Sequence, residues 1–291
     1  MRRVRIVTFL GPDGPQPGAL LGSVEEGRVV DLSTLAPTVE ALIEAGPGSW
    51  DAARVRAVES KGEPLGRLLA PLRPASLRDF LAFEDHAKGG ARRRNEELNP
   101  AWYEAPVYYK GNHRSIVGPD ADVRWPSFSE RLDFELELAC VLGTLEKDLT
   151  EGDAERAIFG YTIMNDWSAR DVQRAEMAMR LGPSKSKDFA TSLGPCIVTP
   201  DEFDPRSAHR MIARVNGEAW CEASTADMHW TFPRMIAHVS RDESVWPADV
   251  YGSGTPFGGC GLDLDRWVQP GDVVELEIEG IGVLRNRIVR E

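Results

Sequence analysis

Residues 133–138 alternate strictly between acidic and apolar side chains, and this alternation restricts the local fold more than any other feature of the chain. The run reads DFELEL. Side chains of a β-strand point alternately to its two faces, so the pattern predicts a strand with three carboxylates, those of Asp133, Glu135 and Glu137, on one face. Neighbouring carboxylates repel each other, which a strand tolerates either in bulk water or around a bound cation.

The same pattern occurs a second time in residues 275–279, which read ELEIE. Because an ordinary half-buried strand also alternates, the pattern alone leaves two interpretations open, a solvated strand face and a metal site. Only the first copy is followed by a polar cluster, NDWSARDVQ in residues 165–173, at the end of a β-like run. Two lysines, Lys185 and Lys187, come shortly afterwards. This context favours a functional site at the first copy.

Short β-like runs separated by Gly, Pro and Asp dominate the chain from residue 130 onward, and they predict a β-rich main domain. Asn216-Gly217 stands between two such runs, and this dipeptide predicts a two-residue hairpin turn.

The first part of the chain has a different pattern. Residues 4–32 are typical of three strands separated by turns, and residues 37–70 carry helical periodicity. A proline pair, in the segment PLRPAS, follows directly. We therefore predict a small N-terminal domain, residues 1–70, and a larger C-terminal domain, residues 71–291.

The charge of the chain argues against polyanionic partners. A formal net charge of −12 over 291 residues repels phosphate backbones and anionic membrane surfaces. The longest cationic run, Arg92–Arg94, is followed by Glu96 and Glu97, which is typical of a solvated helix face. We therefore expect neither a nucleic-acid nor a membrane partner.

The cysteines and the start of the chain indicate a reduced, cytoplasmic setting. The basic start, Met1–Arg3, precedes an apolar stretch that is too short for a signal peptide, and no stretch is long enough to span a membrane. The absence of C-x-x-C spacing predicts buried free thiols rather than a zinc knuckle or a disulfide framework. The four cysteines are widely spaced: Cys140, Cys196, Cys221 and Cys260.

Four segments, in this order and at this spacing, resemble the fumarylacetoacetate hydrolase family across roughly residues 70–291. The segments read DFELELA, GYTIMNDWSARDVQ, KSKDFATSLGP and SGTPFGGCGLD. The resemblance implies an α+β, β-rich fold of the family type, a mixed β-sandwich roll with a small N-terminal α/β module. It also implies a small-molecule keto acid as substrate and a homodimer as the assembly.

The resemblance further implies a metal site. In that family two glutamates of an E-x-E strand and a downstream aspartate bind the metal, which match Glu135, Glu137 and Asp166, and Asp79 is a candidate fourth ligand. A set of carboxylates suits a hard divalent cation, with Mg²⁺ favoured over Mn²⁺ or Ca²⁺. Three ligands leave coordination positions open for the keto and carboxylate oxygens of a substrate.

The stretch from Asp79 to His86 carries the candidate general base. The two residues are seven apart, so they would share one face if the segment is helical. The resemblance implies that His86 activates water and that Asp263 orients it, at a position where the family commonly has glutamate. Glu84 is the alternative orienting carboxylate. A neutral histidine accepts a proton well when a carboxylate holds its ring.

The remaining candidate residues match positions at which the family contacts its substrate or stabilises charge. Lys187 would stabilise a developing enolate or oxyanion. Arg170 and Gln173 would hold substrate oxygens, since they lie three residues apart on a short helical turn. Tyr109 and Thr255 match substrate-contact positions, although a strand tyrosine and a loop threonine are also commonly structural.

The resemblance implies a hydrolase that cleaves a carbon–carbon bond in a 2,4-diketo acid, such as fumarylacetoacetate or an acylpyruvate. Met177 stands where the fumarylacetoacetase pattern has a tyrosine, which leaves the specific substrate open. A second interpretation is a lyase or isomerase that decarboxylates, hydrates or tautomerises a 2-oxo acid through an enolate. A third is a β-rich cation-binding scaffold without catalytic activity.

Overall fold

The computed structural model describes residues 4–24 and 26–290, and it confirms an α+β fold that is rich in β-structure. Met1–Arg3, the basic start of the chain, lie outside the described residues. Among the helices that the structure describes, none is both long and apolar enough to cross a membrane. The helices are α1 (Val39–Glu44), α2 (Pro47–Glu59), α3 (Glu84–Arg93), α4 (Glu151–Arg156), α5 (Arg170–Ala178), α6 (Phe232–Val239) and α7 (Gly261–Leu264), with 3-10 turns at Pro100–Tyr103 and Thr225–Asp227.

The described part of the chain contains eighteen strands. The strands are β1 (Arg5–Gly11), β2 (Gly14–Leu21), β3 (Arg28–Asp31), β4 (Glu63–Pro64), β5 (Leu77–Phe80), β6 (Tyr108–Gly111), β7 (Ile116–Val117), β8 (Asp122–Arg124), β9 (Leu132–Asp133), β10 (Leu136–Leu142), β11 (Ile158–Asp166), β12 (Ser168–Ala169), β13 (Thr191–Val198), β14 (Arg210–Val215), β15 (Glu218–Ser224), β16 (Val250–Gly252), β17 (Val273–Ile278) and β18 (Gly282–Val289).

These strands form two main sheets. The larger has the order β4-β3-β2-β1-β13-β11-β10-β16-β5-β6, and β7 pairs in parallel with β13 at its side. The smaller has the order β15-β14-β17-β18-β8, and β9 pairs separately with β12. The predicted hairpin joins β14 to β15, where Asn216 and Gly217 adopt φ angles of 52° and 80°. Both angles lie in the left-handed region that this turn requires.

The N-terminal strands continue the large sheet. Strand β1 pairs antiparallel with β13, with Arg5 opposite Val198. One buried apolar cluster contains residues from both parts of the chain, including Leu42, Ile197 and Val250. The division into residues 1–70 and 71–291 stays a prediction.

Strand β10 is buried on both faces. Its side chains alternate between two apolar clusters, with Leu138 and Cys140 in one and Ala139 and Val141 in the other. Glu137 shares the face of Ala139 and Val141 because strand side chains repeat every second residue. Its carboxylate is therefore fully buried rather than directed to solvent.

The structure departs from the local sequence pattern at two places. The acidic run is not one strand, because β9 ends at Asp133 and β10 begins at Leu136. Between them Glu135 makes only an isolated bridge to Cys260. The stretch from Asp79 to His86 is not one helix either, since Asp79 lies in β5 and His86 in α3. Backbone pairing of β5 with β16 and β6 keeps the first half extended, and this tertiary pairing overrides helical periodicity.

Candidate functional site

Four buried carboxylates converge at the centre of the large sheet. One carboxylate oxygen from each lies within 4.8 Å of the others, and no residue of the set is more than 6% exposed. The set, called the carboxylate cluster below, is Asp79, Glu135, Glu137 and Asp166. It contains the three residues that the family resemblance implies as metal ligands and the candidate fourth ligand.

Strand register explains this convergence. Asp79 of β5 lies opposite Gly252 of β16, and β16 is the neighbour of β10, which carries Glu137. On its other side β10 pairs with β11, which ends at Asp166. Residues far apart in the sequence are thus aligned across four adjacent strands, and Gly252 leaves space between the carboxylates because it has no side chain.

The negatively charged carboxylates of the cluster repel one another. Burial and the nearby charge of Asp166 raise the pKa of Asp79 well above its ordinary value. Burial and the charges of Asp79 and Asp166 do the same to the pKa of Glu137. Burial also raises the pKa of Asp166, although Lys187 opposes the shift. Asp79 and Glu137 therefore share a proton unless a cation lies between them.

The cluster fits a hard divalent cation. Glu137 Oε1 and Asp166 Oδ1 are buried and have no hydrogen-bond partner among the residues that the structure describes, which is unfavourable unless a ligand is bound to them. The backbone N–H of Gly254 donates to Glu137 Oε2 at 3.0 Å and to Asp79 Oδ1 at 3.2 Å, so both side chains are held in place. Gly254 has a φ of 75°, a conformation that favours glycine. Four oxygen donors suit Mg²⁺, Mn²⁺ or Ca²⁺.

Two cationic side chains border the cluster on the Glu135 side. Lys187 Nζ donates to Glu135 Oε2 at 2.6 Å and also to Asp166 Oδ2. Arg170 Nη2 donates to Glu135 Oε1 at 2.8 Å. Burial alone would raise the pKa of Glu135, but the charges of Lys187 and Arg170 outweigh it and lower this pKa. Glu135 is therefore the permanently ionised member of the cluster.

Asp133 does not join the cluster, although the strand pattern predicted it on the same face. Its carboxylate accepts hydrogen bonds from the N–H groups of Gly261 and Leu262, at 2.8 and 3.0 Å, and from Arg170 Nε at 2.8 Å. The break between β9 and β10 gives the side chain this separate direction. Asp133 thus positions Arg170 and the start of α7 instead of binding a metal.

His86 and Asp263 form a hydrogen-bonded pair next to the cluster. His86 Nδ1 lies 2.7 Å from Asp263 Oδ2, and the Asp263 side chain is completely buried. Asp263 also accepts from the N–H of Gly258 at 2.9 Å and from Arg93 Nη2. Burial would raise the pKa of Asp263, but hydrogen bonds from His86, Gly258 and Arg93 together lower it. The pair is thus an ionised carboxylate holding an imidazole, as proton transfer requires.

The alternative partner, Glu84, contacts other groups. It accepts a hydrogen bond from Tyr103 at 2.6 Å and forms an ion pair with Lys88 at 2.6 Å. Of the two candidate carboxylates, only Asp263 contacts His86 in the described structure. The shorter aspartate side chain therefore still reaches the histidine.

The other predicted contact residues differ in the groups that they contact. Tyr109 donates to Asp166 Oδ2 at 2.6 Å, and Gln173 Oε1 accepts from Arg170 Nη1 at 2.9 Å. Thr255 is buried, and its hydroxyl has no partner among the described residues. Met177 is half-exposed near the end of α5. Substrate contact by these residues stays a prediction.

The second acidic run behaves as an ordinary strand. It forms β17, in which Glu275 and Glu277 are partly exposed and alternate with buried apolar residues. Glu277 pairs with Arg214 at 2.6 Å. The sequence context, rather than the alternation, distinguished the two copies.

Sequence reasoning missed Arg93 as a partner of the histidine pair. Arg93 is seven residues after His86 in α3, a spacing that places both on one helix face. That spacing was visible in the sequence, but the buried carboxylate that both side chains contact lies 170 residues after Arg93.

We expect divalent metal binding to strengthen as the pH rises. The raised pKa values of Asp79 and Glu137 mean that the metal-free protein holds a proton which the metal must displace. Raising the pH through these pKa values removes that proton and favours binding. Calorimetric titration with Mg²⁺ at several pH values, in buffers of different ionisation enthalpy, measures the affinity and the protons released. A pH-independent affinity without proton release would contradict the expectation.

Replacing Gly252 by alanine is expected to weaken metal binding about tenfold or more, because the positions of the ligands would change. An added Cβ would lie 2.6 Å from Asp79 Oδ1 and 2.7 Å from Glu137 Oε2, and it would also overlap Met164. The metal affinity of Gly252→Ala, measured by calorimetry, checks this.

The matched control is Gly152→Ala in α4, where an added Cβ would have only Thr150 Oγ1 near it, at 4.0 Å. It should bind metal like the unaltered protein. Unchanged affinity in Gly252→Ala, with a native circular dichroism spectrum, would contradict the assignment of the cluster as the metal site.

Known proteins with similar sequences identify the family of this chain. The oxaloacetate tautomerase FAHD2A, mitochondrial, of Homo sapiens is 33% identical over 302 residues, covering 99% of this chain and 92% of that protein. The oxaloacetate tautomerase fahd2, mitochondrial, of Xenopus laevis is 30% identical over 297 residues, covering 98% of this chain and 90% of that protein.

Solved structures agree with the sequence comparisons. A fumarylacetoacetate hydrolase from psychrophilic Exiguobacterium antarcticum has a TM-score of 0.81 at 29% identity, covering 99% of this chain and 100% of that chain. A 2-hydroxyhepta-2,4-diene-1,7-dioate isomerase from Mycobacterium marinum has a TM-score of 0.73 at 26% identity, covering 99% of both chains. The sequence model of the fumarylacetoacetate (FAA) hydrolase C-terminal family matches residues 76–289. The chain therefore belongs to the fumarylacetoacetate hydrolase family.

Proposed function

We propose that this enzyme interconverts the keto and enol forms of a small 2-oxo dicarboxylic acid, with oxaloacetate as the first candidate. The observation that carries the proposal is the carboxylate cluster bordered by the paired His86 and by Lys187. Relatives that match 98–99% of the chain are named oxaloacetate tautomerases, which supports this choice of reaction. The isomerase from Mycobacterium marinum supports the same class of chemistry.

The four ligand side chains favour Mg²⁺, since all of them are carboxylates. When bound there, a hard cation supplies Lewis acidity to a carbonyl group and a positive charge for its neighbouring carboxylate. The open donor atoms Glu137 Oε1 and Asp166 Oδ1 are the part of the protein that would face it.

The side chains around the cluster account for proton transfer. His86 would remove the proton from the carbon next to the carbonyl and return it to the enolate oxygen to give the enol, and Asp263 would stabilise the imidazolium that forms in between. Lys187 lies within hydrogen-bond distance of Glu135 and would stabilise negative charge on the substrate oxygen. Burial would lower the pKa of Lys187, but Asp166 and Glu135 outweigh it and raise this pKa, so the ammonium stays charged.

A second candidate is hydrolysis of a 2,4-diketo acid, as first predicted. It is favoured by the His86–Asp263 pair, which would also activate a water molecule for attack on the distal ketone. The Exiguobacterium antarcticum hydrolase supports it through its similar fold. Cleavage would then leave an enolate that Lys187 stabilises.

The assembly and location stay predictions. A homodimer is proposed on the family resemblance, and light scattering on the purified protein tests it. The cytoplasmic location stays a prediction, and the tautomerases named above are mitochondrial.

We expect Mg²⁺-dependent acceleration of oxaloacetate tautomerisation, followed by the loss of ultraviolet absorbance of the enol form. General acid–base groups contribute about 10²–10⁴-fold to rates, so His86→Ala should lower kcat by about that factor. Glu137→Gln should lower metal affinity, and EDTA should remove activity. Full activity of both variants, or activity in EDTA, would contradict the proposal.

Mass spectrometry of the products separates the candidate reactions. Tautomerisation leaves the mass unchanged, hydrolysis adds one water, and decarboxylation removes CO₂. An acylpyruvate panel run beside oxaloacetate shows which substrate class is turned over. Cleavage of acylpyruvates with no acceleration of oxaloacetate tautomerisation would replace the first candidate by the second.

We expect Asp263→Asn to lower kcat about tenfold or more with little effect on metal affinity, because it removes the charge that orients His86. Glu84→Gln is the matched control, since Glu84 contacts Tyr103 and Lys88 instead of the histidine. Steady-state kinetics at saturating Mg²⁺ compares the two. Equal losses in both variants would remove Asp263 from its proposed role.

A further inference from the structure

We propose that His86, Cys260 and Asp263 form a second metal site, suited to Zn²⁺, beside the carboxylate cluster. One donor atom from each of the three residues lies within 4.8 Å of the other two. The set offers nitrogen, sulfur and oxygen, whereas the carboxylate cluster offers only oxygen. The two sites would therefore select different cations.

The backbone brings these donors together from two directions. Cys260 is the N-cap of α7 and Asp263 lies three residues later, so both side chains project from one turn. His86 comes from α3, and its Nδ1 lies 2.7 Å from Asp263 Oδ2. The Asp263 side chain and Cys260 are fully buried, while the His86 side chain is 14% exposed, which leaves a side from which an ion can enter.

The thiol of Cys260 has no hydrogen-bond partner among the described residues. By contrast, the thiol of Cys196 donates to Ile281 O at 3.5 Å, and the Cys221 thiol lies 4.0 Å from Phe257 O. A buried, unpartnered thiol next to an imidazole and a carboxylate is available as a ligand without loss of an existing contact.

The donor chemistry points to zinc. Zn²⁺ binds imidazole, thiolate and carboxylate in tetrahedral sites, and a set of three protein ligands leaves one position for water. Mg²⁺ avoids sulfur and prefers oxygen. Coordination requires the thiolate, so one proton would leave Cys260 for solvent as each ion binds.

Neighbouring charges limit the affinity of this site. Arg93 donates to Asp263 Oδ1, and its guanidinium would repel a dication. Burial raises the pKa of the Cys260 thiol. Arg170 opposes this rise, whereas Glu135 adds to it. We therefore infer a reversible site rather than a structural one.

The consequence for activity rests on the proposed function, although the metal site itself does not. An ion that occupies His86 would remove it from proton transfer. Zn²⁺ should then inhibit the Mg²⁺-loaded enzyme, and added Mg²⁺ should not restore activity, because the two cations occupy different sites.

Cobalt spectroscopy tests the site without any turnover. The Mg²⁺-loaded full-length protein is titrated with Co²⁺, which replaces zinc in such sites and absorbs in the near ultraviolet when a thiolate binds it. We expect this thiolate-to-cobalt band in the unaltered protein and in Cys221→Ser, and its loss in Cys260→Ser. Cobalt in the carboxylate cluster gives no such band. Absence of the band in the unaltered protein, or its persistence in Cys260→Ser, would overturn the site.

His86→Ala provides a second variant at a partly exposed position, in case Cys260→Ser does not fold. It should weaken cobalt binding to the thiolate about tenfold or more, because one of three ligands is lost. An unchanged cobalt titration in this variant would overturn the assignment of His86 as a ligand.

Inhibition is then measured against each variant's own uninhibited rate. The Zn²⁺ concentration for half-inhibition should be about tenfold higher or more in Cys260→Ser than in Cys221→Ser. Equal zinc sensitivity in both would overturn the inhibitory role. Loss of the proposed tautomerase activity would leave the cobalt result intact, so the two proposals fail separately.

Discussion

Mutual repulsion among four buried carboxylates is the interaction on which the rest of this structure depends. Their oxygens lie within 4.8 Å of one another in a place that excludes bulk water, where charge is strongly destabilising. Lys187 and Arg170 balance Glu135, and Asp166 contacts Lys187 as well. The remaining negative charge must be balanced by either a proton or a cation. The folded protein can therefore hold a divalent metal at this cluster.

Asp133 lies between the carboxylate cluster and the His86–Asp263 pair. It binds Arg170, which in turn binds Glu135 of the cluster, and it accepts the backbone N–H of Gly261 at the start of α7. The same helix carries Asp263, the partner of the histidine. Hydrogen bonds and the short backbone of α7 therefore join the carboxylate cluster to the His86–Asp263 pair.

Three members of the carboxylate cluster could be predicted from sequence because they lie in local patterns. Glu135 and Glu137 stand in an alternating run, and Asp166 follows in a polar cluster at the end of a buried strand. No helix runs from Asp79 to His86, because the first half of this stretch pairs with strands far away in the sequence. The direction of Asp133 depends on contacts between distant segments, and local periodicity contains no information about them.

Tautomerisation and hydrolysis require the same charged groups, so the cluster and the histidine pair do not by themselves decide between them. Both reactions need a base beside an activated carbonyl and a cation near the enolate oxygen. What differs is the space beyond the reacting carbon, where hydrolysis must admit a water molecule and a second substrate arm. Met177, half-exposed near the end of the helix that carries Arg170, occupies a position where the fumarylacetoacetase pattern has a tyrosine. Methionine has a flexible apolar side chain without a hydroxyl, so it lacks the hydrogen bond that a tyrosine at this position would offer a distal polar group.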